Sequence, residues 1–313
     1  MAHMVETMAY AGEVPWHGLG VKVPADLSPD QMLEKAGLDW SVRKVPAFAD
    51  VGGKMVSVGH SALVRDSDEK ILDVVSNDWN ILQNAEAFEF FHDFVVAGDM
   101  EMHTAGSLRG GQIVWALAKV NDSFELFKGD KVDSYLLFTN PHRYGWSIDV
   151  RFTPIRVVCN NTLTLSLSTA SKAMVKISHR RQFDADTVKE TLGIAKEKLT
   201  KYKEMAKFLG SKKYTGATVT EYFKNVFPIL VKSEQKRKEI SKGAATALKV
   251  LDTQPGANFA EGSWWQPFNA VTYMMDHLQG RSTDTRLTSA WFGQGKITKT
   301  KALELAVQYA EAA

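Results

Sequence analysis

The stretch from Trp40 to Val75, WSVRKVPAFADVGGKMVSVGHSALVRDSDEKILDVV, decides the fold class. Apolar residues recur in it with a period of two: Trp40, Val42 and Lys44-Val45, then Met55-Val56-Ser57-Val58 and Ala62-Leu63-Val64, then Ile71-Leu72-Asp73-Val74-Val75. Successive side chains on a strand point to opposite faces, so this alternation predicts short half-buried strands. Val51-Gly52-Gly53 and Asp66-Ser67-Asp68 separate them with the turn chemistry of hairpins, and strands joined by hairpins are antiparallel.

Working outward, Leu27-Ser28-Pro29-Asp30 opens a helix with a serine cap and proline at the first position; Met32, Leu33 and Ala36 supply its buried stripe and Gly37 ends it. A second helix is predicted from Asn84 to about Val96, with Ala87, Phe88, Phe91 and Val95 at helical spacing. Strands resume at Glu101–Ala105, Gln112–Lys119, Tyr135–Thr139, Trp146–Phe152 and Ile155–Val158, with Asn140 to Gly145 as a turn-rich tip. From Asp186 to Leu209 and from Thr218 to about Leu251 the pattern is helical and lysine-rich. Thr253-Gln254-Pro255-Gly256-Ala257 reads as a linker, followed by helices at Trp265–Leu278 and Lys299–Ala313. The expectation is an α+β fold: a curved, mainly antiparallel sheet packed by helices, then a basic helical region. Its parts are an N-terminal extended arm over 1–26, a sheet domain over 27–182, basic helices over 183–252 and a helical C-terminal segment over 258–313.

Composition excludes several classes. Of 313 residues 44% are hydrophobic and 24% charged, near globular averages and unlike disordered, collagen-like or coiled-coil chains. The single cysteine, Cys159, rules out an internal disulfide framework and a cysteine-rich zinc site. With no basic leader before an apolar run and no long apolar span, neither secretion nor a membrane partner is expected. The formal charge of +2 conceals a strong asymmetry. Residues 1–170 hold 14 basic and 22 acidic side chains, 171–250 hold 19 and 8, and 251–313 hold 5 and 6. Such concentration of charge suits a polyanionic partner, although a lysine-rich solvated helix gives the same count.

Motifs for nucleotide or metal chemistry are missing. There is no glycine-rich phosphate loop ending in Gly-Lys-Ser or Gly-Lys-Thr, and Gly293-Gln294-Gly295-Lys296 lacks the spacing and hydroxyl. The eight histidines are scattered, so no cofactor or metal is expected; Glu101 with His103 is a loose ligand pair that an exposed strand face explains equally well. More informative is the run from Arg143 to Arg181. Arg143, Arg151, Arg156, Lys172, Lys176, Arg180 and Arg181 face only Asp149 as a counter-charge, with Tyr144, Trp146 and Phe152 among them. Cations that track phosphates and flat rings that stack unpaired bases are what single-stranded nucleic acid requires. Strand aromatics can equally be core, and Arg151 beside Phe152 can be one exposed and one buried position. On the following helix, Lys196, Lys198, Lys201, Lys203 and Lys207 alternate with Leu199, Tyr202, Met205 and Phe208, a core stripe with a solvated basic face.

Four segments carry a family likeness: Met1-Ala2-His3 with Val5-Glu6-Thr7-Met8, Val14-Pro15-Trp16-His17-Gly18-Leu19-Gly20, Ile155-Arg156-Val157-Val158-Cys159-Asn160-Asn161-Thr162-Leu163 and Trp291-Phe292-Gly293-Gln294-Gly295. In these the chain resembles the phage and plasmid-like protein family, which carries a domain of unknown function. A second resemblance, from Ser28 to Trp79, is to the Rad fifty-two type single-strand annealing proteins, through the Trp40 and Phe48 strands, the glycine-pair turn, Val56-Ser57-Val58-Gly59, Leu63-Val64-Arg65-Asp66 and Asp73-Val74-Val75. It implies a homo-oligomer that binds single-stranded DNA without covalent chemistry, in the cytoplasm of a bacterial host. The acidic balance of residues 1–170 departs from that pattern. Two other readings stand beside it. One is a non-catalytic protein that binds a host protein through the Trp16 arm and Trp264-Trp265; the other is an enzyme whose groups, among them His142, Asp149, His103 and Glu101, converge only on folding.

Overall fold

The computed structural model of the protein describes residues 5–12, 19–156, 161–162, 174–229, 240–279, 289–290 and 293–313. Its architecture is α+β. The strands are β1 (Val5–Ala11), β2 (Val21–Val23), β3 (Val42–Val51), β4 (Lys54–Arg65), β5 (Ile71–Ser76), β6 (Met100–Leu108), β7 (Ile113–Glu125), β8 (Lys131–Pro141), β9 (Ile148–Arg156), β10 (Asn161–Thr162) and β11 (Met174–Ile177). The main sheet is ordered β10-β9-β8-β7-β6-β1-β2, with β11 also paired to β9, and a separate three-stranded sheet is ordered β3-β4-β5. Antiparallel pairing dominates, the β1–β2 pair being parallel.

The chain forms two compact units. The first comprises Met1–Asn121, Tyr135–Phe152 and Lys172–Ala195; the second comprises Asp122–Ser134, Thr153–Ser171 and Lys196–Ala313. In the first, β3 and β4 form the hairpin that their turn residues predict: Val51 pairs with Lys54, and Gly52 and Gly53 take φ of +62° and +83°, the left-handed pair that a two-residue turn needs. The half of this ribbon nearest the turn is exposed on both faces, with Phe48, Val51, Met55, Val56 and Val58 all in solvent. By contrast β7 is buried from Ile113 to Ala118 without alternation, because both faces of the central sheet are covered. Helix α1 (Pro29–Lys35) starts as its sequence predicts: the Gln31 N–H donates to Ser28 Oγ and the Ser28 N–H to Gln31 Oε1.

Local expectations differ from the structure at several points. Within the stretch read as an N-terminal arm, Val5–Ala11 is an interior strand, hydrogen-bonded to β6 on one side and β2 on the other. The single helix expected at 84–96 is two, α2 (Asn84–Glu89) and α3 (His92–Val96), broken at Phe90 and Phe91. Neighbours on one helix point about 100° apart, and the break lets both rings pack on Phe138, at centroid distances of 5.3 and 6.0 Å. The stretch from Thr218 to about Leu251, read as helical and lysine-rich, holds α5 (Gly216–Val226) and the helix Lys242–Val250; α5 ends before Pro228, which disfavours helical geometry at Phe227.

In the second unit α4 (Ala185–Ser211), which starts in the first, buries Tyr202, Ala206 and Leu209. They share a core with Tyr222 and Phe223 of α5, with Ala244 and Ala247 of the helix Lys242–Val250, with Trp264, Trp265 and Phe268, and with Leu303 of the helix Gln294–Glu311. The segment read as a linker is built into this core: Gln254 is buried and its Nε2 donates to the Gln266 carbonyl. Trp264 and Trp265 are buried too, at 1% exposure each, which removes them as partner contacts. Trp265 Nε1 donates to Asp130 Oδ2 at 3.2 Å, an indole dipole satisfied inside the core. The helix Trp265–Tyr273 passes into a π-turn, Met274–Leu278, where Asp276 meets Lys299 Nζ at 2.7 Å with both side chains almost wholly buried.

Removing one partner of a buried pair strands the other's charge in a low-dielectric core. Lys299→Ala is therefore expected to destabilise the second unit by roughly 3–5 kcal/mol. The double replacement Asp276→Leu with Lys299→Met should lose far less, as measured by urea unfolding.

Candidate nucleic-acid interface

Arg65, at the end of β4, organises the first unit. Its Nη1 and Nη2 donate to Glu6 of β1 at 2.9 and 3.0 Å, and its Nε and Nη2 donate to Asp68 at 2.8 and 2.6 Å. The guanidinium lies 5.2 Å from the Trp40 ring centre. Hydrogen bonds from Arg65 hold the Asp68 carboxyl down at about 2, and those same bonds, to Asp68 and Glu6, push the guanidinium pKa up. Lys70 stands 3.9 Å from Glu6.

The turn between β6 and β7, Arg109-Gly110-Gly111-Gln112, packs beside this clamp. A Cβ on Gly110 would collide with Lys70 Nζ, and one on Gly111 would lie 2.8 Å from Arg65 Nη1. The loop between β8 and β9 is tied to the same place: the His142 N–H donates to the Gln112 carbonyl at 2.9 Å, and the Tyr144 N–H donates to Asp73 Oδ2 at 3.0 Å. Gln112 Nε2 in turn donates to the Leu72 carbonyl at 2.6 Å. Two turns and strand β5 thus meet at one end of the first unit.

Of the residues expected to bind nucleic acid, this loop brings together Arg143, Tyr144 and Trp146. The Arg143 guanidinium is 5.8 Å from the Trp146 ring centre, and Tyr144 is 60% exposed. Lys176 is exposed on β11, opposite Asp149. Arg180 and Arg181 are exposed in a turn tied to Asn80, Arg180 within 3.6 Å of Asp78. Arg151 differs from the expectation of a surface cation. It is buried like its neighbour Phe152, its Nε 3.6 Å from Asp149 Oδ1, and burial lowers its pKa. It sits on a strand covered on both faces, which sequence alternation alone does not reveal. Lys172, the Arg156 side chain, Cys159 and the Trp16 arm lie outside the described residues. Arg109, in the β6–β7 turn, lies within the electrostatic reach of Arg143; the signal for it in the sequence is an arginine leading a glycine pair between two strands.

A family is matched across residues 71–291, seven-tenths of the chain. The protein belongs to the family described as Domain of unknown function (DUF932). No curated protein and no solved structure matches it. The matched region of this DUF932 chain takes in strands β5 to β11 and the whole Arg143 loop.

Of the groups considered for catalysis in the DUF932 chain, His142, His103 and Asp149 have structural partners, Asp149 in Arg151. His142 is fully buried, its Nε2 2.9 Å from Asn84 Oδ1 and its ring tilted against Trp40. His179 stacks on Trp79 at 4.1 Å, its Nδ1 3.0 Å from the Asn80 carbonyl. His103 Nδ1 lies 2.7 Å from Thr104 Oγ1, and no group of three or more metal-ligating side chains occurs among the described residues. A cleft of about 600 Å³ lies in the first unit between α2, α3 and the start of α4; it is lined by Glu86, Glu89, Phe90, Arg181 and Phe183 among others, and takes in none of His142, Asp149, His103 or Glu101. No described helix is long and apolar enough to cross a membrane.

Burial first, and the nearby His179 second, hold the His142 pKa down at about 3. In the unfolded chain it titrates near the ordinary histidine value of about 6.5, so the unfolded state binds the extra proton between those limits. Stability should fall as pH drops through that window, by up to about 1.4 kcal/mol per pH unit from this group, and His142→Gln should flatten the slope in urea unfolding.

Arg151 and Arg143 should separate in a stability assay. Arg151→Ala strands buried Asp149 and is expected to lower unfolding free energy by about 3 kcal/mol. Arg143→Ala should change it by less than about 0.5 kcal/mol, the usual surface value.

Proposed function

We propose that the protein binds single-stranded nucleic acid, DNA in the first instance, and promotes annealing of complementary strands. The carrying observation is the Arg143 guanidinium over Trp146, next to exposed Tyr144, on a loop where no carboxylate pairs with Arg143 among the described residues. An extended strand needs a cation for its phosphates and rings for its unstacked bases, and annealing needs no further chemistry once strand repulsion is screened. Exposed Lys176, Arg180 and Arg181 lie in the same unit and add non-specific phosphate affinity. Arg151, whose charge is committed to Asp149, is not retained among the contacts.

The resemblance to phage and plasmid-like proteins and to single-strand annealing proteins supports a recombination role for a phage- or plasmid-encoded protein in a bacterial cytoplasm. Homo-oligomers suit this reading, because the tip of the β3–β4 ribbon exposes apolar side chains and β3 is an edge strand of its sheet, which another copy can pair. The same ribbon favours a second reading, a non-catalytic protein that binds a protein partner of its host.

Fluorescence anisotropy of labelled single-stranded and duplex oligonucleotides, at several salt concentrations, tests the first reading. Single strands should bind more tightly, with affinity falling steeply with salt. Tyr144→Ala or Trp146→Ala should each weaken binding by about 1–3 kcal/mol, and Arg143→Ala should reduce the salt slope by about one. No binding at low salt would sink this reading in favour of the second.

A further inference from the structure

Arg109 combines three unfavourable features in one side chain. Its backbone takes φ of +56°, the left-handed region that favours glycine, and its two successors in the turn are glycines. Its Nε is buried and makes no hydrogen bond. The charge that acts on it is another cation, Arg143, and no acid pairs with either guanidinium among the described residues. Burial and the Arg143 charge both push the Arg109 pKa down. The carboxylates close by are engaged elsewhere: Glu6 and Asp68 grip Arg65, and Asp73 accepts the Tyr144 and Val74 N–H groups. Lys70 Nζ, which lies against Gly110 and shares Glu6 with Arg65 at 3.9 Å, is a third cation on the rim.

Glycine would relieve the backbone and leave no orphaned donor, so a folding role does not explain an arginine in this turn. An anion would relieve the rest at once. Two guanidiniums present planar forks of N–H donors, the geometry that takes phosphate oxygens in pairs, and a shared anion turns their mutual repulsion into attraction. Both arginines sit on turns locked together by the hydrogen bond between His142 and Gln112, which pre-organises the pair before any ligand arrives.

We propose that Arg109 and Arg143, flanked by Lys70, form a phosphate-binding site at this end of the first unit. The phosphate belongs to a nucleic-acid backbone or to a small phosphate compound; the first source rests on the function proposed above. With a backbone phosphate held there, the neighbouring bases fall within reach of Tyr144 and Trp146, which makes Arg109 the anchor that sets strand register.

The test uses the full chain with Arg109→Gly and Arg143→Gln. Without ligand, Arg109→Gly should melt roughly 2–4 °C above wild type, since it relieves the turn and the repulsion. Pyrophosphate should raise the melting temperature of wild type above that in sodium chloride of equal ionic strength, and should have no such effect on either variant. In the anisotropy titration Arg109→Gly should weaken single-strand binding about ten-fold and reduce the salt slope by about one. Absence of a pyrophosphate effect on wild type, or its persistence in Arg109→Gly, would overturn the site. Unchanged oligonucleotide affinity in Arg109→Gly, with wild type binding, would overturn the backbone as its ligand. If wild type binds no oligonucleotide yet its pyrophosphate effect needs Arg109, the annealing function fails and the site stands, with a small phosphate compound as its ligand.

Discussion

The Arg65 guanidinium, gripped by Glu6 from β1 and by Asp68 from its own turn, is the interaction on which the first unit depends. It joins the three-stranded sheet to the main sheet through side chains that are 9% and 17% exposed. In such surroundings the attraction between charges is strong, and so is the penalty for misplacing them, so the pair admits one register between the two sheets. Trp40 closes one side of the guanidinium and the Gly110-Gly111 turn approaches another.

That clamp also shapes the electrostatics of the region around it. Residues 1–170 are acidic in sum, yet the acids nearest the β6–β7 turn are spent on Arg65 or on backbone N–H groups. Arg109 and Arg143 are left without carboxylate partners among the described residues. A local cationic site inside an acidic stretch is therefore consistent with the composition, because net charge reports totals and binding reports which charges remain uncompensated. Arg151 shows the converse: it belongs to the basic run in sequence but its charge is answered by Asp149 inside the sheet.

The second unit relies on the same device in a helical setting. Its core is rich in large rings, including Tyr222, Phe223, Trp264, Trp265 and Phe268, which bury much area but tolerate several packings. Directional bonds select among them. The Tyr222 hydroxyl donates to the Ala302 carbonyl, the Trp265 indole to Asp130, and Lys299 to Asp276 at the π-turn. Each is satisfied in one arrangement of helices only.

The sequence alone determined those features whose causes are local. The Gly52-Gly53 hairpin and the Ser28 cap of α1 follow from turn chemistry and capping within a few residues, and the α+β class follows from the order of the elements. It also indicated Arg143, Tyr144 and Trp146 as a group, because they are neighbours on one loop. Tertiary structure decided the rest. That Val5–Ala11 is an interior strand, that Phe90 and Phe91 break a helix to reach Phe138, and that Trp264 and Trp265 are core each depend on partners many residues away. The juxtaposition of Arg109 with Arg143 is of the same kind. Two turns far apart in the chain meet because β6–β7 and β8–β9 end at one edge, and no periodicity in either segment encodes that meeting.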